Sequence, residues 1–327
     1  MKKPTNKKAK RQKNKGKKKY RVRNWREYNQ SLVDRGSVFF WLHQDALDQW
    51  INQQKTGKKG KPQLYTDIAI TTALTIQQVF HLALRQTEGF LNCLFKRMAV
   101  NLTSPDYSTL SIRATTLQVK IRVRQHWSEP LHIVVDSTGA KVYGEGEWKV
   151  RQHGWSKHRR WTKLHLGVDE KTGDILIGAV TGNNIVDSEV LRFLLDQIPG
   201  SINQVSTDGA YDRRKCYQAL RDKGVKHVAI PPQHNARIWQ HGNSKQERLV
   251  RDENLRRIRA VGRKRWQEES DYHRRSLAEN TMFRLKTIFG DRVSARNLAG
   301  QRTQLLLRCK ALNQMTMLGR PDSYLVA

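Results

Sequence analysis

The chain has 327 residues, 61 of them Lys or Arg against 29 Asp or Glu, for a formal net charge of +32. With 37% hydrophobic residues it has ample material for the core of one large domain or two ordinary ones. So large a positive charge persists most naturally beside a polyanion, which puts nucleic acid ahead of an anionic membrane and leaves a cytoplasmic, nucleic-acid-facing protein as the expectation.

Residues 1–23 hold thirteen basic side chains and no acid. They have almost nothing to bury and read as a disordered basic arm that contacts DNA phosphates, with a solubilising tail as the alternative. No apolar run follows these charges, so the arm is not a secretory signal. The remainder still carries 48 basic against 29 acidic residues, so the excess is not confined to the arm. From Trp25 to about Arg124 the pattern is helical, with apolar residues at three- and four-residue steps in Ala46, Leu47, Trp50 and Ile51, and again through Ile68 to Met98. Residues 24–127 are therefore expected to form a helical domain for DNA binding or dimerisation. Thr66–Phe80 and Arg85–Met98 fit a helix-turn-helix whose second helix reads the major groove, or equally a plain core bundle. The most apolar stretch, Ile68 to Leu84, is broken by Thr71, Thr72, Thr75, Gln77, Gln78 and His81, so no membrane span is expected. No strand-like alternation occurs in this third.

The texture changes at Pro130. Leu131–Val135 reads as a strand ending in Asp136, Trp161–Val168 as a second strand and Ile175–Val180 as a third at hairpin spacing. A helix follows Asp187. Gln204–Thr207 then runs as a strand into Asp208, Arg214–Lys223 reads as a helix stopped at Gly224, and Val225–Ile230 as a fifth strand. Residues 233–267 are polar and Arg-rich, and within them Arg237–Arg265 reads as a phosphate-facing loop, with a merely solvated charged segment as the alternative; Ser270–Gly290 reads as one long helix. Three strands, helix, strand, helix, strand, helix is the order of an α/β ribonuclease H-like fold, a mixed five-stranded sheet flanked by helices. Its expected span is 128–315, with 316–327 as a tail.

Three acids occupy telling places. Asp136 ends the first strand, Asp208 the fourth, and Glu279 lies in the long helix. In this fold the first and fourth strands are neighbours, so their ends can bring the two aspartates together. A set of acid oxygens suits a hard cation such as Mg²⁺. Asp169, Asp187 and Asp212 are expected to be solvated turn residues. On the long helix, Tyr272, Arg275, Glu279 and Lys286 share a stripe about 60° wide, opposite Leu277, Ala278, Met282, Leu285, Ile288 and Phe289; Phe283 is the exception to that division.

The pattern Tyr272-x2-Arg275-x3-Glu279-x6-Lys286 resembles the signature of bacterial insertion-sequence DDE transposases. The chain is similar to the insertion-sequence-five family through residues 105–110, Val135-Asp136-Ser137-Thr138-Gly139, 148–154, Arg159-Arg160-Trp161-Thr162-Lys163-Leu164-His165-Leu166 and Asp208-Gly209-Ala210-Tyr211-Asp212. The resemblance covers about 60–315. It implies that Asp136, Asp208 and Glu279 are catalytic and coordinate two divalent ions, Mg²⁺ or Mn²⁺. It implies a DNA transposase that binds the terminal inverted repeats of an insertion sequence, hydrolyses the 3′ ends and joins them to target DNA. Tyr272, Arg275 and Lys286 would hold the terminal DNA, with Arg159, Arg160, Trp161 and Lys163 as further DNA contacts. Partners would be double-stranded DNA and a second copy of the chain in a synaptic dimer, in a bacterial, nucleoid-associated setting. A structure-selective nuclease and a non-catalytic DNA-binding regulator are the alternatives.

Trp148, Trp155 and Trp161 stand among cations and suit either base stacking or an inward-packed hairpin. His153, His158 and His165 are unevenly spaced with no cysteine partner, so no zinc site is expected. Cys93, Cys216 and Cys309 are too few and too far apart for a disulfide framework.

Overall fold

A computed structural model of the chain describes residues 19–53, 62–121, 130–142, 161–241 and 248–326. They divide into two compact units, Met1–Phe40 with Met315–Ala327, and Trp41–Gln314. In the first unit β1 (Lys19–Val22) pairs antiparallel with β8 (Ser323–Val326). Helix α1 (Trp25–Asp34) belongs to the same unit. Arg35 donates to the Gly319 carbonyl, and Ser31 comes so close to Gly319 that a Cβ there would lie 2.7 Å from it. Residues 19–22 are thus ordered into a strand rather than continuing the basic arm to 23, and the expected C-terminal tail includes a strand.

The short helix α2 (Val38–Trp41) follows, and in the second unit α3 (Gln44–Asp48) precedes α4 (Asp67–Val79), α5 (Leu84–Arg97) and α6 (Tyr107–Thr116). Each of the last three begins at a sequence signal or close to it. The Thr66 hydroxyl accepts from the Ala69 N–H at 3.1 Å. Asp106 accepts from the N–H groups of Ser108 and Thr109 at 2.9 and 2.8 Å, and the Ser108 hydroxyl first, then the Thr109 N–H and hydroxyl, hold its carboxyl well below the ordinary range. Trp50, Ile70, Ile76, Leu91, Phe95 and Leu110 are fully buried between these helices.

The sheet runs β4–β3–β2–β5–β6, from β2 (Leu131–Val142), β3 (Trp161–Asp169), β4 (Ile175–Gly182), β5 (Ile202–Ser206) and β6 (His227–Ala229). The first three strands form an antiparallel meander, and β5 and β6 are added in parallel. This is the ribonuclease H-like order. A sixth strand, β7 (Arg292–Val293), pairs in parallel with Lys141 and Val142 of β2, an addition to the five expected. Two residues with no alternation give a periodicity reading nothing to detect.

Helices α7 (Asp187–Asp196) and α8 (Arg214–Asp222) cover one face, closing a core of Ile133, Val135, Leu191, Leu194, Val205 and Leu220. On β3, Gly167 is required by close approach: a Cβ there would meet the Ile177 side chain at 2.5 Å. Against β2 and β3 lies α11 (Ser276–Phe289), burying Ala278, Met282, Leu285 and Phe289. Helix α12 (Leu298–Leu318) reaches the β4 edge, where the Asn313 amide bonds both the N–H and the C=O of Ile175. Among the described residues no helix is long and apolar enough to cross a membrane.

The Arg-rich segment is not a loop. Its described part includes α9 (Val250–Val261) and α10 (Arg263–Glu269), anchored by a buried ion network. Arg251 pairs with Asp212 at 2.9 Å and Asp252 at 3.2 Å, donates to the Arg237 carbonyl at 2.6 Å, and lies under the Trp239 ring at 3.9 Å. Asp212 also accepts from the Tyr217 hydroxyl, and Asp252 from the N–H groups of Trp239 and Gln240. Asp212 and Asp169 are therefore buried structural acids, not solvated turn residues. Because removing Arg251 strands two buried carboxylates, Arg251→Ala should destabilise the protein by about 3–5 kcal/mol. Chemical denaturation measures this; a loss below about 1 kcal/mol would contradict the buried network.

Candidate active site

Asp136 does not end its strand, as expected, but lies inside β2, which continues to Val142. On one edge β3 pairs from Ile133 to Lys141; on the other, β5 pairs with Leu131–Val134 and β7 with Lys141–Val142. Between β5 and β7 that edge of β2 has no neighbouring strand among the described residues, and Asp136 sits in the gap. The parallel register sets Val134 opposite Ser206. Asp136 and Asp208 therefore each lie two residues beyond the same paired level on adjacent strands.

Alternation along β2 sends successive side chains to opposite faces. Ile133 and Val135 enter the core under α7 and α8, so Asp136 faces the side where α11 packs. Glu279 is in the first turn of α11. The segment before it differs from the single helix expected: Tyr272–Arg275 is a 3₁₀ turn, entered through a left-handed Asp271 (φ 51°). Side chains three apart eclipse in a 3₁₀ turn, so Tyr272 and Arg275 still point one way. Phe283 is 70% exposed, which fits its place off the apolar arc.

Arg275 joins the acids. Its Nη1 donates to Asp136 Oδ2 at 3.2 Å and its Nη2 pairs with Glu279 Oε1. The Asp136 side chain is only 14% exposed. Burial raises its pKa; the Ser137 N–H and Arg275 oppose this, while the charges of Asp208 and Glu279 add to it. Tyr272 is raised by burial, with Asp208, Asp136 and Glu279 again contributing. Asp208 and Glu279 thus both act on Asp136, and all three acids act on Tyr272. Asp208 also caps the following turn, accepting from the Ala210 N–H at 3.0 Å.

Among the described residues no three His, Cys, Asp or Glu side chains stand as a ready-made metal cage. The donor chemistry nevertheless fits a hard divalent ion. The oxygens are carboxylates, two of the side chains are already bridged by a cation, and the more buried one is raised chiefly by burial, with its acidic neighbours adding to it.

Other expected contacts differ in placement. Lys286 lies further along α11, partly buried, with no ion pair among the described residues. Lys163 is engaged within the protein, donating to the Ile185 carbonyl at 2.9 Å and pairing with Asp187 at 3.1 Å. The Trp161 ring covers Gly139, with Lys141 5.9 Å from its centroid. Arg159, Arg160, Trp148, Trp155, His153 and His158 lie outside the described residues, as do residues 1–18 of the arm.

A second layer was not foreseen. Ser137, facing opposite to Asp136, donates to Asp187 Oδ2 at 2.9 Å, so Asp187 is a partnered residue behind the site rather than a solvated turn acid. His165 shares this region; burial pushes it down to about 4, so it is neutral at physiological pH. The Tyr211 hydroxyl is fully buried, with no hydrogen-bond partner among the described residues. Only the neighbouring Ser-Thr-Gly and Gly-Ala-Tyr residues of the two aspartate motifs could have signalled this layer.

Two family models carry the description "Transposase DDE domain": one matches residues 127–314 and another residues 33–145. Among solved structures, the piggyBac transposase synaptic complex with hairpin DNA is 11% identical at a TM-score of 0.39, covering 88% of this chain and 76% of that one. The Drosophila P element transposase strand transfer complex is 12% identical at 0.28, covering 60% and 43%.

Since an unpartnered buried hydroxyl is a liability, Tyr211→Phe should leave the protein as stable or more stable, by up to about 1 kcal/mol. Thermal unfolding checks this, and a clear loss of stability would mean the hydroxyl is satisfied after all.

Proposed function

The chain belongs to the transposase DDE-domain family, and from that premise we propose that Asp136, Asp208 and Glu279 are the acids on which its DNA chemistry depends. It is a DNA transposase, an enzyme of divalent-metal-dependent cleavage and strand transfer. The observation that carries the site assignment is the Arg275 bridge between Asp136 and Glu279, with Asp208 acting on the same Asp136 carboxyl. Three acids drawn from a strand, the turn after its neighbouring strand and a helix, around a position that already attracts a cation, are poorly explained as surface charges.

The ions in this reading are two Mg²⁺ or Mn²⁺, held by Asp136, Asp208 and Glu279, and when bound they supply activation of the attacking oxygen and stabilisation of the departing one. The chain's own contribution is placement, because the nucleophile is water and then the freed 3′-hydroxyl of DNA. The β2 and β5 backbones fix Asp136 and Asp208; the first turn of α11 fixes Glu279. Tyr272 is held by the Trp266 ring, 5.6 Å between centroids, and offers its hydroxyl beside the acids. Lys286, without an acidic partner among the described residues, serves as a point charge for a phosphate on the same helix face.

End recognition is assigned to α5. Arg85, Gln86, Asn92, Cys93, Lys96 and Arg97 are exposed on it while Leu91 and Phe95 hold it to the core, so its free face is polar and basic. Terminal inverted repeats and target DNA are the substrates of this reading. Two ends must be paired, so the working form is a synaptic dimer, acting on chromosomal DNA in the bacterial cytoplasm.

The test uses duplexes carrying the inverted repeats that flank the reading frame. Asp136→Asn should abolish Mg²⁺-dependent cleavage, and joining of pre-cleaved ends, while end binding persists. Cleavage without joining in the wild type would favour a nuclease; binding without either reaction would favour a regulator. Lys286→Ala should weaken binding similarly across sequences and reduce the slope of log K against log salt by about 1. An unchanged slope would remove Lys286 from the phosphate contacts.

A further inference from the structure

The Arg275 guanidinium touches two of the three acids at once: Asp136 Oδ2 lies 3.2 Å from Nη1, and Glu279 pairs with Nη2. Its side chain is 23% exposed, so it belongs to the site rather than to open solvent. The neighbouring Arg274 cannot take this place, because its guanidinium is paired with Glu170. One guanidinium cannot serve the acids and a DNA phosphate in the same position.

We infer that Arg275 couples metal loading to DNA binding, a role that rests on the acidic-triad reading above. Bridging two of the acids, Arg275 competes with the divalent ion for the same oxygens. Loading the acids releases the guanidinium, whose planar fork is then free to grip a phosphate. The Tyr272 ring, 6.0 Å from the guanidinium carbon, provides a surface for it on the DNA-facing side. The converse follows from linkage: a phosphate that draws Arg275 away leaves the acids short of positive charge, so DNA raises metal affinity by the factor by which metal raises DNA affinity. The acids would be weakly loaded while the protein is free and strongly loaded with DNA in place. That restricts cutting to the assembled complex.

The experiment measures free Mn²⁺ by electron paramagnetic resonance on the full chain. Titrations are run with and without a short blunt-ended duplex of arbitrary sequence at low salt, the duplex alone serving as blank. Phosphate contacts do not depend on sequence, so this probe suffices. Wild type should bind Mn²⁺ weakly alone and on the order of tenfold more tightly with the duplex, within the usual range of coupling between sites. Arg275→Ala should bind Mn²⁺ more tightly than wild type without DNA and lose most of the duplex effect. Arg275→Lys keeps a cation but cannot span both acids, and should fall between; it also answers for any loss of folding in the alanine variant. The inference is overturned if Arg275→Ala and Arg275→Lys retain the wild-type response to the duplex. Asp136→Asn separates the two readings. If it binds Mn²⁺ as wild type does, the acid assignment fails and the coupling with it. If it loses Mn²⁺ while the Arg275 variants behave as wild type, only the coupling fails.

Discussion

Carboxylates gathered at one point repel each other and lose solvation, so they remain ionised together only if a positive charge is supplied. Much of this molecule is arranged around that requirement. The β2–β5 pairing commits two aspartates to one level of the sheet, and α11 brings a glutamate to the same side. Arg275 then answers part of the repulsion from within the chain. A cation held in this way stabilises the acids and at the same time stands in the way of any other cation. Stability of the free protein and readiness for chemistry therefore pull in opposite directions at one residue.

Placement of the acids depends in turn on elements with no chemistry of their own. The Arg-rich helices are fixed to the sheet by Arg251, whose partner Asp212 closes the motif that begins at Asp208. From there contacts run back to the site: Trp266 donates to Asn254 at 3.2 Å and stacks on Tyr272, while the Gln204 amide on β5 holds the Ser270 carbonyl at 2.8 Å. The turn carrying Tyr272 and Arg275 is thus tied both to the Arg-rich helices and to the strand that delivers Asp208. On the opposite face, the Ser137–Asp187–Lys163 chain braces β2 next to Asp136. The face that carries Asp136 therefore rests on hydrogen-bonded and ion-paired neighbours on both sides of the sheet.

The strand order was legible because β-branched runs and helix signals recur over long stretches, and the meeting of Asp136 with the Arg275–Glu279 segment because motif residues flank both. What was not legible depends on distant partners. The β1–β8 pair joins residues some 300 positions apart, and each strand is only four residues long. β2 continues past Asp136 because β3 pairs with it as far as Lys141, although Ser137-Thr138-Gly139 reads locally as a turn. Residues 250–269 look like a solvated charge run until the pairings are known: Arg256 with Glu253, and Arg257 and Arg265 with Glu269. The break at Asp271 is equally hidden, since Tyr272 to Lys286 fits a continuous helix in sequence.

Those pairings also bear on what the excess charge is for. Acids are the scarce partner in this chain, 29 against 61. Along the Arg-rich helices Asp252, Glu253 and Glu269 are all engaged with arginines. The carboxylates therefore fix particular arginines as structure and leave the surplus without internal counter-charge. A surplus of that kind keeps the potential positive around a site that is itself acidic. An anionic backbone can then approach carboxylates that would otherwise repel it, and the repulsion that remains is what a divalent ion between acid and phosphate would relieve. The basic composition and the acidic centre are two halves of one arrangement for bringing a polyanion to a cluster of negative charge.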